Sequence, residues 1–350
     1  MPGWLKPNSI RGLINKKINS VILNNNIKKF NIVNSTIGSV RFYSTSNKTS
    51  YSLSDEEFFE WLSGFIDAEG YFRIKKDIRR KNSPFLFEFI INLHSDDKDA
   101  LFYIQKRLNN GNVTDYSTTS RFSISSQVGV NSLISILDKY PLNTAKRLDY
   151  EDWKKAFVIY NDNQSSLNRE SVISSIESIR LGMNTGRPYN VYNSNAVITK
   201  YWLLGFIEGE GSFIIHLHNL TNSFTLGQLS KDRPLLEKIV DFFLKYYNTN
   251  FFINESAINI SDKSKDEILN QNPYSEIYSS NTNFFRNNLV PLLSSLTWQT
   301  KKYKDFVDWS LVLDMKAVNL HKTKRGKELI ENLYYQMNNY RLSTNLLEKK

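Results

Sequence analysis

The chain has 350 residues, enough for two domains, and its 40% hydrophobic and 13% aromatic content supports packed cores. It has no cysteine, which excludes disulfides and thiolate metal sites, and no apolar run approaches the length of a membrane span. The net charge of +10 invites a nucleic-acid reading, but residues 1–54 hold eight basic residues and no acid, so the other 37 basic residues nearly balance 35 acids.

Residues 1–54 read as a basic presequence-like or disordered segment. Arg41-Phe42-Tyr43-Ser44 resembles a processing signal cut after Tyr43; the alternative is upstream coding sequence fused to an organelle-encoded reading frame. Either origin predicts a mitochondrial protein, located in the matrix.

Ser54-Asp55-Glu56-Glu57 offers an N-cap with acids in the first turn, and apolar residues then recur to Ile66 as in a helix. Strands are predicted at Tyr71–Lys75 and Phe85–Leu93, a helix at Asp96–Leu108, strands at Val113–Tyr116 and Arg121–Ser126, and helices near Val130–Leu137 and Asp149–Tyr160. After a linker over 184–199, rich in Asn and carrying Gly186 and Pro188, the order begins again. Helices are expected at Tyr201–Glu208 and Pro234–Tyr247, with strands at Gly211–Leu217 and Phe224–Leu229. An irregular Asn/Ser-rich region, 248–283, is expected to replace the second strand pair, before helices near Phe285–Leu293 and Asp305–Leu313.

The repetition extends to individual residues. Leu62-Ser63-Gly64-Phe65-Ile66-Asp67-Ala68-Glu69-Gly70 returns 141 residues later as Leu203-Leu204-Gly205-Phe206-Ile207-Glu208-Gly209-Glu210-Gly211. Asp97-Lys98 matches Asp232-Arg233 at a shift of 135, and Thr144-Ala145-Lys146 matches Thr300-Lys301-Lys302 at 156. The domains are therefore 55–183 and 200–350. Small residues four apart (Gly64 and Ala68, Gly205 and Gly209) lie on one helix face and let two such helices approach closely. Their ends would bring Glu69 and Glu210 side by side, a repulsive pair unless a divalent cation lies between them. Oxygen ligands without thiolate or clustered His favour Mg²⁺, and the carbonyls of Ala68 and Gly209 are further candidate ligands. Asp67 and Glu208 are expected to point away and serve structure.

These residues resemble the LAGLIDADG homing endonucleases in their single-chain, two-repeat form, over about residues 55–345. The closest likeness is to fungal mitochondrial intron-encoded members. The resemblance implies an α+β fold of two pseudo-symmetric αββαββα repeats forming a DNA-binding saddle, with the motif helices at the interface. It implies that Glu69 and Glu210 bind the metal, both being Glu where Asp is commoner. It implies Lys146 and Lys302 as the basic residues near the scissile phosphates and Gln228 as the residue that orients water. Leu93, followed by His94, stands opposite Gln228 in the first repeat, so one strand is expected to be cut less efficiently.

Strand alternation adds candidate DNA contacts: Arg73 and Lys75, with Arg79, Arg80 and Lys81 at the turn, then Arg121, Ser123 and Ser125. The second repeat offers Ser212, His216, His218 and Thr225, a less basic face. His216 and His218 lack a third ligand for zinc. The implied function is site-specific double-strand DNA cleavage that spreads an intron, by a monomer with no membrane partner. The alternatives are a maturase for group I intron RNA on the same scaffold, or a non-catalytic organellar RNA-binding or structural derivative.

Overall fold

The protein's structure, a computed structural model, describes residues 52–77, 84–163, 169–184, 195–246, 257–264 and 272–347. Helix α1 (Asp55–Glu69) starts at a complete capping box: the Ser54 hydroxyl accepts from the Glu57 amide, and the Glu57 carboxylate from the Ser54 amide. It turns directly into β1 (Gly70–Lys76), which pairs antiparallel with β2 (Phe85–His94). No loop separates helix from strand at Gly70, where a Cβ would lie 2.6 Å from the Ile66 side chain. There follow α2 (Lys98–Leu108), β3 (Asn112–Asp115), β4 (Thr119–Ile124), α3 (Gln127–Lys139), α4 (Lys146–Asp162) and α5 (Arg169–Gly182).

The second repeat contains α6 (Lys200–Glu210), β5 (Gly211–His216), β6 (Thr221–Leu229), α7 (Arg233–Tyr246), β7 (Asn259–Lys263) and β8 (Tyr274–Ser279). Helix α8 (Thr282–Phe284) runs through a π-helical turn, Phe285–Leu289, into α9 (Val290–Ser294). Helices α10 (Lys302–Ala317), α11 (Lys324–Tyr334) and α12 (Ser343–Leu347) complete the described chain.

The two sheets have the same order, β1-β2-β4-β3 and β5-β6-β8-β7. The expected irregular stretch in the second repeat is thus corrected: β7 and β8 form its second strand pair. Their sequences are short and polar. What holds β8 is the edge of β6, from Phe224 opposite Ser279 to Leu229 opposite Tyr274. The segment 265–271 between them lies outside the described residues.

One face of each sheet packs on helices. Phe72 meets Trp153 and Phe87 meets Trp153 and Phe157 of α4, with Phe89 against Phe72 and Phe122 against Phe89, while Phe213 meets Phe306 and Trp309 of α10 with Phe224 against Phe213. These rings are almost wholly buried, each contributing on the order of 2 kcal/mol relative to exposure. Helices α5 and α11, which periodicity did not announce, end each repeat in the same way. Asn184 and Asn338, both at positive φ, donate their amides to Asp149 and Asp305 and their Nδ2 groups to the carbonyls of Phe72 and Phe213.

Candidate active site

The two motif helices, α1 and α6, pack against each other through their glycines. A Cβ at Gly64 would sit 1.9 Å from the Trp202 carbonyl oxygen, and one at Gly205 would sit 2.1 Å from that of Trp61. At the tips, a Cβ on Gly209 would meet the Ala68 Cβ at 2.3 Å and Glu69 Oε1 at 3.4 Å. The small residues thus bring the last turns together, with Glu69 and Glu210 both half-buried beside the interface.

Burial is the main cause that raises both carboxyl pKa values. Glu69 raises Glu210 further, as expected of a close like charge, while Lys146 and Lys302 oppose the rise at both acids. Burial pushes the two ammonium groups down. Lys146 Nζ donates to the carbonyls of Ile66 and Ala68 at 2.9 and 3.1 Å, and Lys302 Nζ donates to Gly209 at 2.8 Å. The expected carbonyl ligands, Ala68 and Gly209, therefore face the lysines.

Each lysine opens a helix whose leading amides are fully held. Asp67 accepts from the Asn143 and Thr144 amides, the Thr144 hydroxyl and the Trp202 indole. Glu208 accepts from the Gln299 and Thr300 amides. The inner motif acids thus cap the helices that carry the lysines, a structural role satisfying otherwise orphaned donors. Burial raises Asp67, and it raises Glu208 to about 7. The Trp61 indole lies near Glu208 and favours its charged form, yet its buried N–H completes no hydrogen bond.

The two halves differ at the residue beside the outer carboxylate. Gln228 Nε2 donates to Glu210 Oε1 at 3.0 Å. Leu93 stands at the matching place in β2, and His94 turns to the Asp96 amide and Thr344 instead. Glu69 therefore lacks the amide partner that Glu210 has.

The outward sheet faces carry most of the remaining predicted residues. Arg73 pairs with Glu88, its Nε 2.8 Å from the carboxylate, and Lys75 is exposed. Arg121 donates to Asn92 and lies over the Tyr116 ring; Ser123 shares its face. Ser212 lies opposite Thr225, and His216 Nε2 is 2.9 Å from the Ser223 hydroxyl. Two expectations need correction. Ser125 lies beyond the last ladder residue of β4, and His218 lies in the turn after β5, because each strand ends sooner than its alternation suggests. Arg79, Arg80 and Lys81 lie outside the described residues. Glu88, Asn92 and Tyr116, the partners of these arginines, are not basic and carry no positive charge to mark them, although alternation along β2 places the first two outward.

The donor set at the helix tips fits a hard divalent cation. It is all oxygen, its two carboxylates repel each other, and the carbonyls of Ala68 and Gly209, which accept from the lysines, belong to the same last turns. Among the described residues no group of three or more His, Asp or Glu side chains able to hold a metal occurs, and the helix tips bring two carboxylates. No described helix is long and apolar enough to cross a membrane.

A family model described as "LAGLIDADG endonuclease" matches residues 62–157 and 203–313, more than half of the chain. The mitochondrial protein RF1 of Saccharomyces cerevisiae is 28% identical over 318 residues, covering 86% of this chain and 65% of that protein. A probable intron-encoded endonuclease, Cox1-I1b of Schizosaccharomyces pombe, is 30% identical over 300 residues, covering 81% and 71%. The crystal structure of the homing endonuclease I-GzeII in complex with its DNA target superposes with a TM-score of 0.71 at 26% identity, covering 83% of this chain and 100% of that one.

Proposed function

The chain belongs to the LAGLIDADG endonuclease family, and we propose that it is a site-specific, divalent-metal-dependent endonuclease that breaks both strands of a duplex DNA target. The observation that carries this reading is the pairing of Glu69 and Glu210 at the tips of two close-packed helices, each within the field of two half-buried lysines.

Glu69 and Glu210, with the carbonyls of Ala68 and Gly209, would hold Mg²⁺. When bound, the cation supplies a water of lowered pKa and neutralises phosphoryl charge. The residues of the chain do the rest. Lys146 and Lys302, already desolvated, stand ready to offset charge that develops on the phosphate. Gln228 orients Glu210 through its amide and, beside it, an attacking water.

The outward sheet faces supply the binding surface, with strands in the major groove and Arg73, Lys75, Arg121, Ser123, Ser212, His216 and Thr225 on the DNA side. The motif helices already pair within one polypeptide, so the monomer is the working unit. Kinship with an intron-encoded endonuclease and a mitochondrial protein supports intron mobility in the mitochondrial matrix as the setting.

The test is incubation of the full-length chain with Mg²⁺ and a plasmid library carrying randomised duplex targets. A linear product that disappears with chelator, and with Glu69→Gln or Glu210→Gln, is the expected result. Binding of a target without any cut by the wild type, or a preference for intron RNA over every duplex, overturns it.

A further inference from the structure

The amides leading into the two lysine helices are not held by their own repeat alone. At the start of α4, the preceding Asn143 and Thr144 donate to Asp67 and the Lys146 amide to the Thr144 hydroxyl, all in the first repeat. The Ala145 amide between them donates to Asp232 Oδ1 of the second repeat at 2.6 Å. At the start of α10, the preceding Gln299 and Thr300 donate to Glu208 and the Lys302 amide to the Thr300 hydroxyl. The Lys301 amide donates to Asp97 Oδ1 of the first repeat at 2.7 Å.

The exchange is reciprocal, and it falls on matched positions. Asp97 and Asp232 each follow the sheet strand of one repeat and each reach the residue just before the active-site lysine of the other. Neither lysine helix has a side-chain cap on its own N-cap residue, Ala145 or Lys301. The Lys301 ammonium lies 3.3 Å from the second oxygen of Asp97, which fixes that carboxylate from both sides. Asp232 is buried.

We propose that Asp97 and Asp232 are positioning residues acting in trans: each sets the first turn of the opposite repeat's lysine helix, and so aims Lys302 or Lys146 at the shared site. The lysine ends of both helices are then in register only when the two repeats are docked. A repeat that loosens from its partner disarms the partner's lysine as well as its own carboxylate, which links the competence of the two cuts. This inference rests on the nuclease reading for its consequence, but the contact itself is testable without cleavage.

Two measurements on the full-length chain decide it. The first uses lysine labelled with ¹³C at Cε, with the Lys146 and Lys302 signals assigned by their loss in Lys146→Arg and Lys302→Arg. Asp232→Ala is expected to move the Lys146 signal and its titration while leaving Lys302 in place, and Asp97→Ala the reverse. Movement of both signals in each variant, or of neither, overturns the proposal.

The second measures nicking of each strand on a cleavable target. Asp232→Ala should slow the strand that Lys146→Met slows, and Asp97→Ala the strand that Lys302→Met slows, by about tenfold, the scale of losing one cap. Equal slowing of both strands, or slowing of the opposite strand, overturns it. Asp232→Asn and Asp97→Asn, whose side-chain oxygen still accepts from the amide, should recover most of the lost rate. A simple loss of folding gives no such strand preference or rescue. Absence of cutting by the wild type would count against the nuclease reading alone, since the lysine signals still test the contact.

Discussion

Trp202, on the second motif helix, donates its indole N–H to Asp67 of the first at 2.9 Å, and Asp67 also holds the amides of Asn143 and Thr144 ahead of Lys146. One buried carboxylate thereby ties together the helix interface and the lysine helix. Its pseudo-symmetric counterpart is incomplete, because the Trp61 indole makes no hydrogen bond. Both indoles are nearly fully buried and stack on a phenylalanine one turn later, Trp61 on Phe65 and Trp202 on Phe206, with ring centroids 5.0 Å apart.

The comparison of Trp202→Phe with Trp61→Phe follows from this. Packing losses should be alike, while only the first variant removes a hydrogen bond to a buried carboxylate. Trp202→Phe should be less stable than Trp61→Phe by about 1–3 kcal/mol. Urea denaturation of the two proteins checks this; equal stability would mean the indole contact adds nothing.

The glycines divide into those that touch backbone and those that do not. Gly64→Ala and Gly205→Ala place a methyl group against a main-chain carbonyl of the facing helix, which cannot yield as a side-chain tip can. Each should cost roughly 3 kcal/mol or more and separate the helix tips. Gly182→Ala, with open space around its Cβ near the end of α5, should instead stabilise by about 0.4–1 kcal/mol. Thermal melts of the three variants would refute the close-approach argument if the order were otherwise.

The Gln228–Glu210 contact, with Leu93 at the matching place, predicts unequal cutting of the two strands. Gln228→Leu should slow one strand and bring its rate near that of the other. Leu93→Gln should speed the slower strand. End-labelled duplexes resolved under denaturing conditions report both rates, and a uniform change in both strands would contradict the assignment.

Asp314 on α10 gives a pH signature separate from the site. Burial raises its carboxyl from 3.8 to about 7, against the opposing pull of Arg286. The folded protein then binds a proton that the unfolded chain releases between these two values, so the cost of ionising Asp314 is absent at low pH and complete above about 7. Asp314→Asn removes that cost. The variant should melt above the wild type at pH 8.5, with the gap narrowing below about 7 and closing only as pH falls towards 3.8. A gap that stays constant with pH, or widens on acidification, would show that Asp314 is not the group responsible.

Much of the site was legible from repetition. Glu69 and Glu210, Lys146 and Lys302 stand at matched positions after matched strands and helices, and the structure brings all four to the helix tips. Gln228 came from the family resemblance rather than from repetition, since Leu93 is its match in the first repeat, and the structure sets its amide against Glu210. The candidate DNA contacts were read from alternation, which named Arg73 and Arg121 but gave no sign that Glu88 and Asn92 lie across from them as hydrogen-bond partners. Alternation also ran past the true ends of β4 and β5 at Ser125 and His218, because it carries no information about where a ladder loses its neighbour.

The sequence alone determined that two copies of one unit exist, which helix faces are small enough to meet, and which acids end them, because these are properties of local order and spacing. It also marked Asp97 and Asp232 as equivalent without saying what they do. The folded chain decided that these carboxylates cross over, spanning 204 and 87 residues to reach the other repeat's lysine helix, and that β8 exists as a strand because β6 offers it an edge. Such contacts depend on how two finished units dock, and no local pattern encodes the partner that docking supplies.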